Sequence, residues 1–210
     1  MVDIYGIKIL RQMDQDTFDN LLNLVAPEKR ERINRFAFFE DAQRCLLGDL
    51  LARYAICNRF NIKSSQLKFG RNEYGKPILA EHKGIHFNLS HAGDWVVCAA
   101  DNAPVGIDVE VIQPINFDIA KRFFTKAEYN DLMGQDEKNR LHYFYTLWTL
   151  KESYIKAVGK GLSIPLNCFS FTIEKENIRL TTKNESVHCS FRKHQIDEKH
   201  IVSLCTTHHK

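Results

Sequence analysis

A chain of 210 residues with 44% apolar content has room for one compact domain or two small lobes sharing a core, and that content argues against extended disorder. Its 29 basic and 26 acidic side chains leave a net charge of +3, which is too balanced for bulk nucleic-acid binding, so charged partners must be met by local patches. No C-x-x-C pair or zinc-like Cys/His spacing occurs among the six cysteines, residues 1–10 lack the basic start of a signal peptide, and nothing approaches the roughly 20 apolar residues of a membrane span. The expectation is a cytoplasmic protein without disulfides and without a nucleic-acid or membrane partner.

In chain order, alternation over residues 4–10 with Tyr5, Ile7 and Ile9 on one side predicts a first strand. Asp16 is the expected cap of a helix carrying Phe18, Leu21, Leu22 and Val25. Pro27 opens a second helix at its first position. A longer helix follows with Leu47, Leu50, Leu51 and Tyr54 as its apolar stripe, and Gly70, Gly75 and Pro77 mark a loop. Strands are predicted at His86–Ser90, Trp95–Ala100 and Val105–Val111, the last two joined as a hairpin through Asp101-Asn102-Ala103-Pro104. A second helical half runs from about Ile119 to Val158 and stops at Gly159. Short strands at Phe169–Ile173, His188–Phe191 and His200–Cys205 close the chain.

A faint repeat accompanies these elements. Arg35-Phe36, a helix and Gly75-Lys76-Pro77 recur in order as Arg122-Phe123, a helix and Gly159-Lys160-Gly161. This favours an α+β fold of two similar lobes, residues 1–104 and 105–210, meeting near residue 104.

Four segments carry candidate chemistry. In the strand Val105-Gly-Ile-Asp-Val-Glu-Val111, Asp108 and Glu110 share one face, with Cα atoms roughly 6.5–7 Å apart, and Gly106 leaves space beside them. Two carboxylates so placed can converge on one cation; a half-exposed polar strand face is the plainer reading of that segment alone. On the helix Trp148–Lys156, Glu152 and Lys156 are four apart and share a face beside an aromatic stripe. Oxygen ligands from Asp108, Glu110 and Glu152 would select a hard cation, Mg²⁺ before Zn²⁺, while Lys151 and Lys156 offset excess negative charge and can hold phosphate. In His86-Phe-Asn-Leu-Ser-His91, His91 stands at a strand exit, where ligand contacts are common. Lys29 and Arg32, three apart on one helix face, can grip a single phosphate.

Together these segments resemble the surfactin-type 4′-phosphopantetheinyl transferases. The likeness rests on Val105–Val111, Phe123-Phe-Thr-Lys-Ala-Glu-Tyr129 and Trp148-Thr-Leu-Lys-Glu-Ser-Tyr-Ile-Lys-Ala-Val-Gly-Lys-Gly-Leu162. Pro27-Glu-Lys-Arg-Glu-Arg32, Tyr74-Gly-Lys-Pro77 and Phe87-Asn-Leu-Ser-His91 support it upstream. The length fits the long class of that family, a pseudo-dimeric monomer with its active site between the lobes. The resemblance implies an enzyme that moves the phosphopantetheine arm of coenzyme A to a serine of an apo peptidyl, acyl or aryl carrier protein and releases adenosine 3′,5′-bisphosphate. It would serve peptide, polyketide or fatty-acid synthesis, nonribosomal antibiotic assembly included.

By position, the resemblance makes Asp108, Glu110 and Glu152 the Mg²⁺ ligands. Lys29, Arg32, Arg44 and His91 would hold the 3′-phosphate, Lys76 and Ser90 the nucleotide, and Lys151 and Lys156 the pyrophosphate. Arg32 stands where some relatives carry Lys, which keeps the charge and changes the donor geometry. Glu152, directly or through a water, is the candidate base for the serine proton, competing with its ligand role; Lys156 would stabilise or protonate the leaving phosphate. Glu128 is a further acid without an assigned role. Ile112, Ile115, Phe117, Phe123 and Phe124 are candidates either for carrier docking or for the core. Without the resemblance, the same acids also suit a Mg²⁺ phosphohydrolase, and a non-catalytic coenzyme-A-binding or carrier-binding module is the other alternative.

Overall fold

The chain forms the same motif twice in the computed structural model, which describes residues 2–183 and 188–208. First, β1 (Asp3–Lys8) leads through α1 (Gln15–Leu22) and α2 (Pro27–Ile33) to the long helix α3 (Phe39–Phe60). The short hairpin β2 (Phe69–Arg71)/β3 (Pro77–Leu79) and the hairpin β4 (His86–Ala92)/β5 (Trp95–Asp101) follow. Then β6 (Val105–Val111) leads through α4 (Asp118–Phe123) and α5 (Lys126–Gly134) to α6 (Glu137–Val158). This half ends with β7 (Ser170–Glu174)/β8 (Asn177–Thr181) and the hairpin β9 (His188–Asp197)/β10 (His200–His208). Each lobe has one three-stranded antiparallel sheet, ordered β1-β5-β4 and β6-β10-β9, so the last strand returns beside the first in both. The two-lobed α+β class and the faint sequence repeat have this common physical form.

Several local expectations shift. Asp14, not Asp16, caps α1: its carboxylate accepts from the Thr17 N–H at 2.8 Å, leaving Asp16 in the first turn. Pro27 opens α2 as expected. On α3 the sheet-facing side is rotated from the leucine stripe towards Ala52, Ala55 and Ile56. The two alanines let the helix approach β5, while Tyr54 stays 58% exposed and meets Tyr5 edge-on. The Gly70–Pro77 stretch is itself a two-stranded hairpin. The long helical half breaks into three because Thr125 starts a new capping box with Glu128 and Asp136 begins another helix. Gly159, at φ 80°, ends the last of them. Asp101–Pro104 is not a hairpin turn: both edges of β5 are already filled by β1 and β4, so the chain crosses to start the second sheet.

Strand alternation sorts the cores. Val96, Cys98 and Ala100 of β5 face α3, while Val97 and Ala99 face the other way, into an inter-lobe core with Val105, Ile107, Val109, Val202 and Leu204. Ile201 and Cys205 of β10 face α6. The layers therefore run helix, sheet, sheet, helix. Among the described residues no helix is long and apolar enough to cross a membrane.

The edge strands β4 and β6 lie side by side, joined by side chains instead of a backbone ladder. Asn88 Oδ1 accepts from the Ile107 N–H at 2.8 Å, and Ser90 Oγ accepts from the Val109 N–H at 3.3 Å. At the end of this seam, where Gly93 lies against Val111 and His200, a second clasp links the lobes. His200 Nδ1 and Asp197 Oδ1 are 2.8 Å apart, Trp95 donates its indole N–H to Asp197 at 2.8 Å, and Lys8 lies 3.2 Å from the same carboxylate. The Trp95 and His200 hydrogen bonds hold Asp197 well below the usual carboxylate range.

Helix α6 rests on β6 at Gly106. A Cβ there would lie 2.0 Å from the Ser153 carbonyl oxygen and 2.4 Å from the Ala157 nitrogen, both backbone atoms with nowhere to move. Gly106→Ala is expected to cost about 3 kcal/mol or more, read by urea denaturation; a cost below about 1 kcal/mol would show that helix and strand can separate freely.

Candidate active site at the lobe junction

The alternation of β6 turns Asp108 and Glu110 away from the inter-lobe core and towards α6. On α6, Trp148, Glu152 and Lys156 repeat at every fourth residue and face back. These five side chains, with Ser90 and His91 from β4, line one cleft of about 360 Å³. Both lobes contribute, and the seam between β4 and β6 forms its floor.

Asp108 is the pivot. It is 3% exposed, and its Oδ1 accepts from Lys156 Nζ at 2.6 Å and from Ser90 Oγ at 2.9 Å. Lys156 also donates to Ser90 Oγ at 3.0 Å and to the Ile107 carbonyl at 3.3 Å, so one ammonium ties α6 to both edge strands. The other oxygen, Asp108 Oδ2, is buried without a hydrogen-bond partner. An orphaned carboxylate oxygen of this kind is costly unless something positive meets it.

All three acids are held above the usual carboxylate range. Burial is the main cause for each; for Asp108 it outweighs the opposing Lys156 and Ser90 contacts. Glu110 is pushed up to about 7 by burial and then by Asp108 and Glu152, against the pull of Lys156 and a hydrogen bond from Trp148. Glu152 is raised by burial and by Asp108. Three carboxylates thus face a single ammonium in a partly desolvated cleft. The oxygen-only donor set, the excess negative charge and the orphaned Oδ2 together fit a hard divalent cation such as Mg²⁺.

The phosphate-binding candidates divide. Desolvation first, then the Arg44 and Lys156 cations nearby, hold the His91 imidazole below its ordinary range. Arg44 pairs with Asp41 at 2.6 Å and reaches towards the Gly93 carbonyl, in the turn beside His91. Lys29 and Arg32 lie on α2, which is packed onto the start of α3 through Ile33; Lys29 sits 3.9 Å from Asp49 and Arg32 is exposed.

Two expected ligands point elsewhere. Lys76 Nζ donates to the carbonyls of Lys156 at 2.6 Å, Val105 at 3.1 Å and Ala157 at 3.4 Å. All three N–H bonds are used to tie an N-terminal-lobe loop to the end of α6, leaving none for a nucleotide. Burial lowers this lysine to about 8. Lys151, expected at the pyrophosphate, is fully buried on the other flank of α6 against Glu128, because position 151 faces the C-terminal core when 152 faces the cleft. Phe124, 3% exposed, is core, whereas Ile112, Ile115, Phe117 and Phe123 pack only partly buried around it. Trp148 lines the cleft without being among the expected site residues; its place four residues before Glu152, on the same helix face, is the sequence signal for it.

The comparisons agree with this architecture. A family model described as 4′-phosphopantetheinyl transferase, N-terminal, matches residues 12–103, and one described as 4′-phosphopantetheinyl transferase superfamily matches residues 104–205. The 4′-phosphopantetheinyl transferase Sfp of Bacillus subtilis (strain 168) is 41% identical over 206 residues, covering 98% of this chain and 92% of its own. The 4′-phosphopantetheinyl transferase gsp of Aneurinibacillus migulanus is 37% identical, covering 98% of this chain and 86% of its own. The L-aminoadipate-semialdehyde dehydrogenase-phosphopantetheinyl transferase of Mus musculus is 35% identical, covering 86% of this chain and 66% of its own. The chain belongs to the 4′-phosphopantetheinyl transferase superfamily and is an enzyme of that class.

With the acids raised, protonation would compete with any cation taken up in this cleft. Glu110 lies at about 7 when folded against an ordinary 4.5, so its contribution to the stability of the cation-free protein is present below pH 4.5 and lost as pH rises through about 7. The thermal stabilisation given by Mg²⁺ is therefore expected to grow as pH rises through that window, with release of roughly one proton per cation near neutrality. Thermal melts with and without Mg²⁺ across the window, and calorimetry in buffers of different ionisation enthalpy, check this; a pH-independent stabilisation would contradict it.

Proposed function

We propose that this enzyme uses Mg²⁺ to transfer the 4′-phosphopantetheine arm of coenzyme A to a serine hydroxyl of an apo carrier protein, leaving adenosine 3′,5′-bisphosphate. The observation that carries the reading is the convergence of Asp108, Glu110 and Glu152 with Lys156 in one cleft, with Asp108 Oδ2 buried and unpartnered. Mg²⁺ held by these three carboxylates would neutralise pyrophosphate charge as the bond to the leaving phosphate breaks.

The protein's own groups divide the remaining work. The serine oxygen attacks the phosphorus that bears the pantetheine arm, and the bond from that phosphorus to the bridging oxygen of the nucleotide phosphate breaks. Glu152, directly or through a water, takes the serine proton, a role that competes with its place as a cation ligand. Lys156, already oriented by Asp108 and Ser90, meets the charge that grows on the leaving phosphate. His91 and Arg44, with Lys29 and Arg32 from α2, receive the 3′-phosphate; binding it would draw His91 towards its charged form. Ser90 meets the nucleotide from the seam. The cleft is assembled from the two lobes of one chain, which supports a monomer. The acceptor is a carrier domain of peptide, polyketide or fatty-acid synthesis.

The test is incubation with coenzyme A, Mg²⁺ and a panel of apo carriers, followed by mass measurement of each carrier. Gain of one phosphopantetheine unit is expected; coenzyme A cleavage without labelling of any carrier would replace this reading with hydrolysis. Asp108→Ala is expected to keep the wild-type circular dichroism spectrum and lose Mg²⁺-dependent transfer by about 100-fold or more. Unchanged turnover in that variant would remove Asp108 from the site.

A further inference from the structure

The cleft face of α6 is held between two flanks. At about 100° per residue, Trp148, Glu152 and Lys156 lie within a narrow stripe, while Lys151 and Ser153 point about 100° to either side of Glu152. On one side, Ser153 and Ala157 rest on Gly106, so the helix cannot roll further that way without backbone collision. On the other side stands Lys151, whose ammonium is fully buried and bonded throughout. Nζ lies 2.8 Å from Glu128 Oε2 and donates to the carbonyls of Leu166 at 2.7 Å and Phe169 at 2.8 Å, with the Phe169 ring centroid 4.5 Å away.

Glu128 is equally committed. Oε2 accepts from the Thr125 N–H at 2.8 Å and from the Thr125 hydroxyl at 2.9 Å, and Oε1 accepts from the Phe171 N–H at 2.9 Å. One carboxylate thereby fastens the start of α5 and the start of β7 to a single point on α6. Both partners are at most 1% exposed. Burying two charges is a poor way to gain stability, since apolar replacements often do as well; what such a pair supplies is a single direction and distance.

We propose that Lys151 and Glu128 are a positioning pair for transfer: they fix the rotation of α6 about its axis, and through it the approach of Glu152 to Asp108 and Glu110. Neither residue touches substrate. The inference rests on the reading of Asp108, Glu110 and Glu152 as the cation site, and it gives Glu128 and Lys151 a role outside that site. A roll of a few degrees about α6 moves the Glu152 carboxylate, far from the axis, much more than it moves the backbone packed on Gly106.

The test uses Glu128→Gln/Lys151→Met, which removes both charges together and leaves no buried ion unpaired, and Lys151→Arg, which keeps the charge and changes the reach. Mg²⁺ affinity is measured by calorimetry without substrate, alongside kcat, the KM for coenzyme A and thermal melting. Expected in both variants are an Mg²⁺ affinity weakened by about fivefold or more and kcat lowered by about tenfold or more, with the KM for coenzyme A within about twofold of wild type. Wild-type Mg²⁺ affinity and kcat in either folded variant, whatever its melting temperature, would reduce the pair to a structural tie and overturn the proposal. Should the double variant not fold, Lys151→Arg decides alone, and loss of folding in both would equally reduce the pair to a structural tie. The wild-type control separates the two readings: if wild type itself binds no Mg²⁺ and transfers without it, the cation site fails, whereas Mg²⁺-dependent wild type with unaltered variants counts against the positioning pair only.

Discussion

The contact between Lys156 and Asp108 sits where every larger feature of the molecule meets. Lys156 belongs to the helix of the second lobe, Asp108 to the edge strand beneath it, and Ser90, bonded to both, to the edge strand of the first lobe. Two exposed sheet edges would ordinarily invite association with other strands. Here they close on each other, yet through side chains, with Asn88 and Ser90 reaching the backbone of β6. That arrangement leaves a gap wide enough for a cleft and lines it with the polar atoms that close the seam. The proposed binding surface and the lobe interface are consequently the same structure.

The electrostatic consequence is an imbalance that the protein does not resolve internally. Burial raises all three carboxylates, and the single nearby ammonium is already engaged with Asp108. The other acid-rich contact between the lobes, around Asp197, differs: Lys8, Trp95 and His200 satisfy it, and it serves as a clasp. The contrast separates carboxylates that hold the lobes together from carboxylates left with unmet charge. The second kind is where the proposed cation and phosphate-bearing substrate would meet the protein.

Lysines show the same division of labour. Three lysines near the junction carry equal formal charge, yet Lys76 ties a loop to the end of α6, Lys151 anchors the core side of that helix, and Lys156 alone enters the cleft. Their neighbours along the chain do not distinguish these roles. The distinction comes from helix azimuth and from which carbonyl groups each ammonium can reach, because a buried ammonium must find acceptors for its N–H bonds.

Much of the fold was legible because period and punctuation are local: alternation marked β6, Pro27 and Gly159 marked helix ends, and Asp108, Glu110, Glu152 and Lys156 fell on matching faces by spacing alone. The motif resemblance then supplied the family. Local signals misplaced the cap of α1, the buried face of α3 and the hairpin at Asp101–Pro104, since capping depends on one hydrogen bond, helix azimuth on the partner surface and strand pairing on which edges are already filled. The amino-acid sequence by itself determined which residue types could form a cation and phosphate site. Which of them share the cleft proposed for that chemistry follows only from the folded chain, because burial, the β4–β6 seam and the rotation of α6 are set by contacts between segments far apart in sequence.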